Sequence, residues 1–419
     1  MTLHPIFAAL RKHKAGVVLI ALQIALTLAI VCNALFIIGQ RIQNVNRPTG
    51  LVEDNLFLIS QQWVGAPDAD KPAGAEQLDA MMKEDLAALR NMPDVTAVTP
   101  TNSLPLYTSS RAGSAGINPG NGTYDGLSAG TARVSYFFTD DQALPALGFK
   151  VIAGRFFNPG EVQHYSGREE RTASVIVISR ALAEKLLPDK AAVGQVLYLD
   201  GASTPSVVIG VIDRMQGAVW AKTFAWNTVI VPARLNSNYS RYAVRTKPGR
   251  RDAAMKAVPS VLFGVNPMRV LDDEESVKSF EQIRAHAYQS DVGMAILMGV
   301  VCVVLIGVTA AGIVGLTSFW VGQRRKQIGV RRALGARKID ILRYFQLENL
   351  AIACGGAVIG ILLALTLNFW LMRNFGMDRI PVTSVMVGVA AVLLLGQFAV
   401  FVPARRASNV PPVAATRTV

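Results

Sequence analysis

The sequence lacks the motifs that would mark it as an ATPase or a metalloenzyme. It contains no Gly-Lys dipeptide, so it cannot hold a Walker A phosphate-binding loop. An HExxH zinc motif is also absent, and the four histidines are scattered along the chain. We therefore expect a non-catalytic chain with no cofactor and no metal of its own.

Charged residues and histidine are absent from four long apolar runs. These runs cover residues 17–39, 292–322, 350–372 and 382–402, and each can cross a bilayer, which takes about 20 apolar residues. Transporters driven by protons or ions normally need ionisable groups inside the membrane, so this absence argues against secondary transport. The sequence predicts an α-helical membrane protein with four transmembrane helices.

Cysteine is scarce, and each of the three cysteines lies inside an apolar run. Residues 40–291, between the first and second runs, therefore have no disulfide to stabilise them. A segment of about 250 residues can bury enough surface to be held by its own core. We expect residues 40–291 to fold as an independent domain.

The net charge of +13 is unevenly placed. In a soluble protein such an excess would suggest a nucleic-acid partner, but residues 40–291 hold 26 basic and 26 acidic side chains. The excess lies in residues 1–16, 323–349 and 403–419, which the positive-inside rule places in the cytoplasm. Residues 40–291 and the short loop 373–381 then lie outside, and nucleic acid is excluded as a partner.

Strand and helix patterns alternate within residues 40–291, which predicts a large α+β domain. One helix is expected at 75–92, with its apolar residues on one face. A pattern that starts at residue 272 continues without proline or glycine into the second run, which predicts a helical stalk. Residues 108–132 are rich in glycine, serine and asparagine and are expected to form a mobile loop.

A basic segment, residues 323–349, separates the second and third runs. Its eight basic residues are opposed by two acidic ones. Apolar side chains at Ile328, Val330 and Leu334 lie among the arginines, and Gly335 interrupts them, which predicts a short helix, a turn and a second helix. Composition alone leaves open that this segment merely rests on anionic lipid.

The amino-acid sequence of the basic segment resembles that of the FtsX-like permease domain. The resemblance rests on the run KQIGVRRALGA from Lys326, followed by Asp340-Ile341-Leu342 and Glu348. In that family the segment docks on a separate ATP-hydrolysing subunit, so the resemblance implies an ABC ATPase as partner. The residues implied in ATPase coupling are Ile328, Gly329, Arg331, Arg332, Ala333, Leu334, Gly335 and Ala336.

A second resemblance covers the large outer domain. The runs LGFKVIAGRFF, VIVISRALAEKLLP, VGQVLYL and VIGVIDR resemble the periplasmic core domain of MacB-like permeases, and the C-terminal run PARRASNVPPVAATR resembles the same family. This implies a porter-like lobe with an inserted, mostly β lobe. It also implies a multi-pass protein of the cell inner membrane whose large domain lies in the periplasm.

Together the resemblances imply the permease subunit of an ABC-type efflux or mechanotransmission system. Such a subunit would couple ATP hydrolysis by a separate nucleotide-binding subunit to motion of its periplasmic domain, for export of a periplasmic substrate. The expected partners are the ABC ATPase, a second permease in a homodimer or a heterodimer with a related chain, a periplasmic adaptor as a further candidate, and membrane lipid. An alternative stays open, in which the same motion activates a periplasmic partner such as a cell-wall hydrolase.

Two small residues, Gly356 and Gly360, lie four positions apart in the third run. Such a pair lets helices approach closely in a membrane. The spacing leaves open whether it serves helix packing within one chain or a dimer contact.

Overall fold

The computed structural model describes residues 14–120, 126–166, 173–271, 273–375 and 378–409. The backbone divides into two compact units. One comprises Met1–Asn46 with Ser290–Val419, and the other comprises Arg47–Gln289. We call them the membrane unit and the outer domain.

The helices are α1 (Lys14–Val45), α2 (Pro72–Arg90), α3 (Ala143–Leu147), α4 (Arg180–Leu186), α5 (Arg251–Val265), α6 (Asp273–Ser276), α7 (Phe280–Gln323), α8 (Arg325–Ala333), α9 (Lys338–Phe375) and α10 (Val382–Ser408). The strands are β1 (Leu56–Trp63), β2 (Val95–Pro100), β3 (Arg111–Gly116), β4 (Thr131–Thr139), β5 (Val151–Gly154), β6 (Gln163–Ser166), β7 (Val175–Ser179), β8 (Val196–Leu199), β9 (Ser206–Ile212), β10 (Thr228–Asn236), β11 (Tyr239–Thr246), β12 (Arg269–Val270) and β13 (Val277–Ser279).

Within the described residues, four helices, α1, α7, α9 and α10, are long and apolar enough to cross a membrane. Each contains one of the four charge-free runs, so the expected set of four transmembrane helices is confirmed. Helix α7 is the longest, with 44 residues. At 1.5 Å per residue it is about 66 Å long, roughly twice the thickness of a hydrocarbon core.

Helix α1 packs against α9 and α10 and is hydrogen-bonded to α7. The Gln23 amide donates to the carbonyl of Val308 at 3.1 Å, and the hydroxyls of Thr27 and Thr309 lie 2.7 Å apart. Asn33 donates to a carbonyl of α9 at 3.2 Å. Polar groups in apolar surroundings are costly unless they are hydrogen-bonded, so these pairs fix which helices neighbour α1.

The outer domain contains a five-stranded antiparallel sheet in the order β12-β1-β11-β2, with β13 also paired to β1. In its register Ile59 lies opposite Tyr242. Helices α2 and α5 contribute Leu78, Leu86 and Leu262 to a buried cluster with this sheet. We call this part of the domain the sheet lobe.

The rest of the outer domain is a closed ring of strands. Pairing runs in the order β4-β3-β8-β9-β7-β10, and β10 then pairs in parallel with β4. Strand β6 extends the pairing of β10, and β5 pairs with β9. Because β3 to β10 come between β2 and β11 in the chain, this barrel lobe is an insertion into the sheet lobe, and the expected mixed α and β domain is confirmed.

Two details of the outer domain differ from expectation. Residues 108–132 were expected to form a loop, but they include β3 and the start of β4, while residues 121–125 lie outside the described residues. Small residues are needed in β3, because a Cβ on Gly113 would lie 2.0 Å from Oδ1 of Asp200. The expected helix from residue 272 is interrupted by β13, since Val277 is buried and pairs with Ile59 of β1.

Candidate functional site

The basic segment forms the predicted helix, turn and second helix. Helix α8 ends because Gly335 adopts a left-handed backbone conformation, with φ of 96°, which glycine takes up without steric cost. The amide of Ala336 donates to the carbonyl of Arg331, and that of Gly335 to the carbonyl of Arg332, each at 3.1 Å. These two bonds form a Schellman motif, which satisfies the last carbonyls of the helix.

The start of α9 is capped as well. The backbone amide of Arg337 donates to Oδ2 of Asp340 at 3.0 Å, so one of the free donors at this helix N-terminus is satisfied. The carboxylate also lies in the first turn, where negative charge is favourable. The turn between α8 and α9 is therefore defined by hydrogen bonds at both helix ends.

One face of α8 is packed against the membrane unit. Ile328 is 5% exposed and belongs to the same buried cluster as Ile341 and Phe345 of α9 and Ala404 and Ala407 of α10. Gly329, beside it, is buried too. This inner face fixes α8 on the ends of two transmembrane helices.

Three arginines add polar contacts to this packing. Nη1 of Arg324 lies 3.0 and 2.8 Å from the two carboxylate oxygens of Glu348, and Nη1 of Arg332 donates to the carbonyl of Ser408 at 2.8 Å. The guanidinium of Arg331 lies 5.3 Å from the ring centre of Tyr344, within cation–π range. These contacts tie the segment to α9 and α10.

The opposite face of α8 and the turn are open to solvent. Leu334, the residue before Gly335, is 83% exposed, and Val330, one helical turn earlier, is 48% exposed. Ala333 and Gly335 are exposed as well, and Ala336 is half-buried. The surrounding basic side chains that are also exposed are Arg325, Lys326, Arg331, Arg337, Lys338 and Arg343. This outer face offers an apolar protrusion within a cationic surface.

The eight residues implied in coupling are thus divided by the structure. Ile328 and Gly329 lie on the inner face and Arg332 is half-buried, whereas Leu334 lies on the outer face. Sequence reasoning missed the pairing of Arg324 with Glu348. This pair could have been suspected from the sequence, because Glu348 is one of only two acidic residues in a segment with eight basic ones.

Gly356 and Gly360 lie where α9 meets α1 within the chain. A Cβ at Gly356 would be 2.7 Å from the carbonyl oxygen of Ala21, and one at Gly360 would be 2.9 Å from that of Ala25. Backbone atoms cannot yield as a flexible side chain can. The two glycines therefore permit a close approach of two helices of the same chain.

Two further features were compared with known kinds of catalytic site, a metal-binding cluster and a nucleophile elbow. Among the residues that the structure describes, no group of three or more His, Cys, Asp or Glu could hold a metal ion. The pattern Gly-x-Ser-x-Gly occurs at Gly126–Gly130, where its serine carbonyl accepts the amide of Thr131 at the start of β4. A nucleophile elbow needs a turn from strand to helix, and this turn leads into a strand.

Two family models match the chain. One, described as the MacB-like periplasmic core domain, matches residues 18–261. The other, described as the FtsX-like permease C-terminal domain, matches residues 287–412. The first model alone covers more than half of the chain, and the two together cover most of the outer domain, most of each transmembrane helix and the basic segment.

Two curated proteins are similar to the chain over more than four fifths of its length. The chain is 26% identical over 364 residues to the pyoverdine export ATP-binding/permease protein PvdT of Pseudomonas syringae pv. tomato, covering 84% of this chain and 49% of PvdT. It is 28% identical over 359 residues to the macrolide export ATP-binding/permease protein MacB of Agrobacterium fabrum, covering 81% and 49%. The chain thus spans about half the length of the curated relatives it matches. The solved periplasmic region of MacB from Actinobacillus actinomycetemcomitans matches 58% of this chain and 97% of that structure, at 13% identity and a TM-score of 0.34.

The two family models extend over most of the outer domain, most of each transmembrane helix and the short basic helix described above. The chain belongs to the family of MacB-like and FtsX-like ABC permeases.

Proposed function

We propose that this chain is the permease subunit of an ABC-type efflux or mechanotransmission system of the inner membrane. A separate nucleotide-binding subunit hydrolyses ATP, and the chain converts the resulting motion into movement of its periplasmic domain, for export of a periplasmic substrate. The observation that carries the proposal is the outer face of α8, where Leu334 is 83% exposed beside a helix that is firmly packed on its inner face.

Firm packing matters because a coupling element must transmit a displacement. Ile328 is buried between α9 and α10, and Arg332 is hydrogen-bonded to the end of α10. Arg324, directly after the end of α7, is paired with Glu348 of α9. A partner that pushes on Leu334 would therefore move transmembrane helices together with the loop. Helix α7 is continuous from Phe280 to Gln323, which supports transmission along its length.

Contact with lipid explains the defined shape of the outer face less well than contact with a protein partner does. Headgroup binding gains roughly 1 kcal/mol for each basic residue near the surface and needs no defined shape. Here the turn is built by a Schellman motif and a capping carboxylate, and it presents one large apolar side chain. Burying a leucine side chain in a protein cleft stabilises by about 1.5–3 kcal/mol. A defined apolar anchor favours a protein partner.

The family supports export over activation of a hydrolase. PvdT and MacB are named as export proteins that combine ATP-binding and permease functions. The basic segment lies within residues 287–412, which match the FtsX-like permease C-terminal model. On that similarity we propose that the ATP-binding function comes from a partner subunit.

The test is to purify the tagged chain from its native membranes in a mild detergent and to measure ATP hydrolysis. We expect activity to follow a co-purifying protein that contains a Walker A motif, identified by mass spectrometry. After a high-salt wash has removed that protein, the chain should show no hydrolysis, and adding the protein back should restore it. Hydrolysis that persists in the stripped chain would contradict the proposal.

A further inference from the structure

The chain passes between the membrane unit and the outer domain at two places. It enters the outer domain at Arg47, shortly after the end of α1, and leaves it at Gln289, within α7. We call residues 47–55, which lead from α1 to β1, the entry segment. Along the backbone, a movement of the transmembrane helices can reach the outer domain only through the entry segment and through α7.

Arg284, in the first turns of α7, binds the entry segment with both arms of its guanidinium. Nη1 donates to Oε1 of Glu53 and Nη2 donates to the backbone carbonyl of Arg47, each at 2.7 Å. The hydroxyl of Thr49 donates to the same carboxylate oxygen at 2.7 Å. The side chains of Arg284 and Glu53 are only 22% and 30% exposed, and charge-assisted bonds from a planar guanidinium are stronger than neutral ones. The entry segment is therefore held on α7 at two points.

The entry segment also packs against the barrel lobe, at the loop between β9 and β10. The backbone amide of Gln216 donates to the carbonyl of Thr49 at 2.8 Å. The approach is so close that a Cβ on Gly50 would lie 2.1 Å from the carbonyl oxygen of Arg214. The side-chain amide of Gln216 donates to the hydroxyl of Tyr288 in α7 at 3.4 Å, and both of these side chains are buried. Helix α7, the entry segment and the barrel lobe thus meet at one place, which we call the entry junction.

The sheet lobe is joined to α7 by a different route. Strand β13 ends directly before α7 and pairs with β1. Arg251 of α5 also lies 3.4 Å from Glu281 of α7, but that glutamate is 79% exposed, and ion pairs at the surface contribute little to stability. Loss of Arg284 would therefore leave the sheet lobe joined to α7 and would release chiefly the entry segment with the barrel lobe.

We propose that Arg284 is the positioning residue that makes the barrel lobe follow the movement of α7. This inference rests on the proposed function, because it requires that α7 moves when the partner subunit hydrolyses ATP. With Arg284 in place, a displacement of the helix pulls on Glu53 and Arg47, and through the entry junction on the loop before β10. Without Arg284, the helix can move relative to the entry segment, and the displacement does not reach the barrel lobe.

The test is to measure a distance between two spin labels by electron–electron double resonance in the complex with the co-purified ATPase, in nanodiscs. Labels at Lys185→Cys, on α4 of the barrel lobe, and Arg379→Cys, before α10, occupy exposed positions in a chain whose native cysteines are replaced. Labelled chain is diluted with unlabelled chain. We expect ATP with vanadate to shift this distance. Arg284→Met should at least halve the shift, and Arg284→Lys, which keeps the charge but has a single nitrogen, should be intermediate.

A matched control removes the other ion pair between the outer domain and α7. Arg251→Gln breaks the exposed contact with Glu281 and should keep the full shift. The ATPase subunit should still co-purify with Arg284→Met, because the outer face of α8 is unchanged, whereas Leu334→Asp should lose it. A merely structural role of Arg284 would lower the unfolding midpoint and leave the shift intact.

The outcomes separate this inference from the proposed function. A full shift in Arg284→Met, or an equal loss in Arg251→Gln, would overturn the role of Arg284 alone. No shift in the natural chain would contradict the movement assumed in the proposed function, and this inference with it. Circular dichroism and thermal unfolding show whether Arg284→Met folds. If it does not, Glu53→Ala, which removes the acceptor of the same ion pair, decides by the same measurement.

Discussion

Arg324 and Glu348 form a nearly buried ion pair at the base of the candidate coupling element. Nη1 of the arginine lies 3.0 Å from Oε1 and 2.8 Å from Oε2 of the glutamate, and their side chains are 12% and 4% exposed. Taking both charges out of water is costly, and their attraction offsets this cost only while both are present. The pair therefore makes the junction of α7 and α9 sensitive to loss of either partner.

We expect Arg324→Met to destabilise the membrane unit by about 3–5 kcal/mol, because it leaves the Glu348 carboxylate buried without its partner. The double variant Arg324→Met with Glu348→Leu should regain most of that loss, since no buried charge remains. A double-mutant cycle measured by equilibrium unfolding of the full chain in detergent checks both values. A double variant as unstable as the single one would contradict this account of the pair.

The topology prediction can be tested with single cysteines at exposed positions in a chain whose three native cysteines are replaced. Ser260→Cys, on α5 of the outer domain, should react with an impermeant maleimide in intact spheroplasts. Asn409→Cys, after α10, should react only after permeabilisation. Both native side chains are exposed, so a missing reaction reports on the side of the membrane. Labelling of Asn409→Cys in intact spheroplasts would contradict the prediction that the end of α10 lies in the cytoplasm.

The elements that could be predicted from the sequence are those marked by a pattern of neighbouring residues. Each transmembrane helix contains a run without charged residues, and the turn at Gly335 interrupts an apolar pattern as expected. Strand β3 was missed because its small residues satisfy a distant constraint, the approach of Asp200 to Gly113. The parallel pairing of β4 with β10 likewise joins residues about 90 positions apart along the chain, such as Ser135 and Thr228, and leaves no mark in either segment.

For the candidate site, local pattern identified the segment but not its faces. Ile328 and Leu334 are both apolar residues among arginines. Their exposures of 5% and 83% depend on where α9 and α10 pack. The entry junction was equally hidden, because its contacts join residues as distant along the chain as Glu53 and Arg284.

Acid should loosen the junction between the two lobes through Asp79. This carboxylate of α2 lies 2.5 Å from Nε of Arg234 in β10 and 2.7 Å from Nζ of Lys83. Burial acts to raise the pKa of Asp79, but hydrogen bonds and charge attraction from Arg234 and Lys83 outweigh it. The pKa of Asp79 therefore lies below its ordinary value of 3.8.

A carboxyl group whose pKa is lower in the folded state stabilises that state fully above the unfolded pKa of 3.8, and this contribution is lost as the pH falls through the folded pKa. We therefore expect the natural chain to lose more stability between pH 5 and pH 2 than Asp79→Asn does. Hydrogen exchange of α2 and β10 in the full chain, compared at the two pH values, measures the difference. An equal loss in both chains would show that Asp79 does not contribute to acid sensitivity.

The inner and outer faces of α8 should respond to substitution in different ways. Ile328→Ala removes a buried side chain and should cost about 2–5 kcal/mol of stability. Any loss of coupling in this variant would then follow from a loosened helix. Its unfolding midpoint in detergent, compared with that of the natural chain, checks the prediction. An unchanged midpoint would mean that Ile328 does not anchor the segment.

Leu334→Asp tests the outer face directly. Because Leu334 is 83% exposed, an aspartate there should leave the unfolding midpoint and the labelling pattern unchanged. At a protein interface the change removes about 1.5–3 kcal/mol of binding free energy from burial of the leucine and adds a desolvated charge. Affinity for the ATPase subunit should therefore fall at least tenfold.

Leu334→Met, which keeps an apolar side chain of similar volume, serves as the matched control and should couple normally. Arg337→Ala, beyond the turn, should have a milder effect than Leu334→Asp. The readouts are co-purification and stimulated ATP hydrolysis. If Leu334→Asp couples fully while neutralising the exposed arginines abolishes coupling, the outer face acts through charge alone, as lipid binding would require.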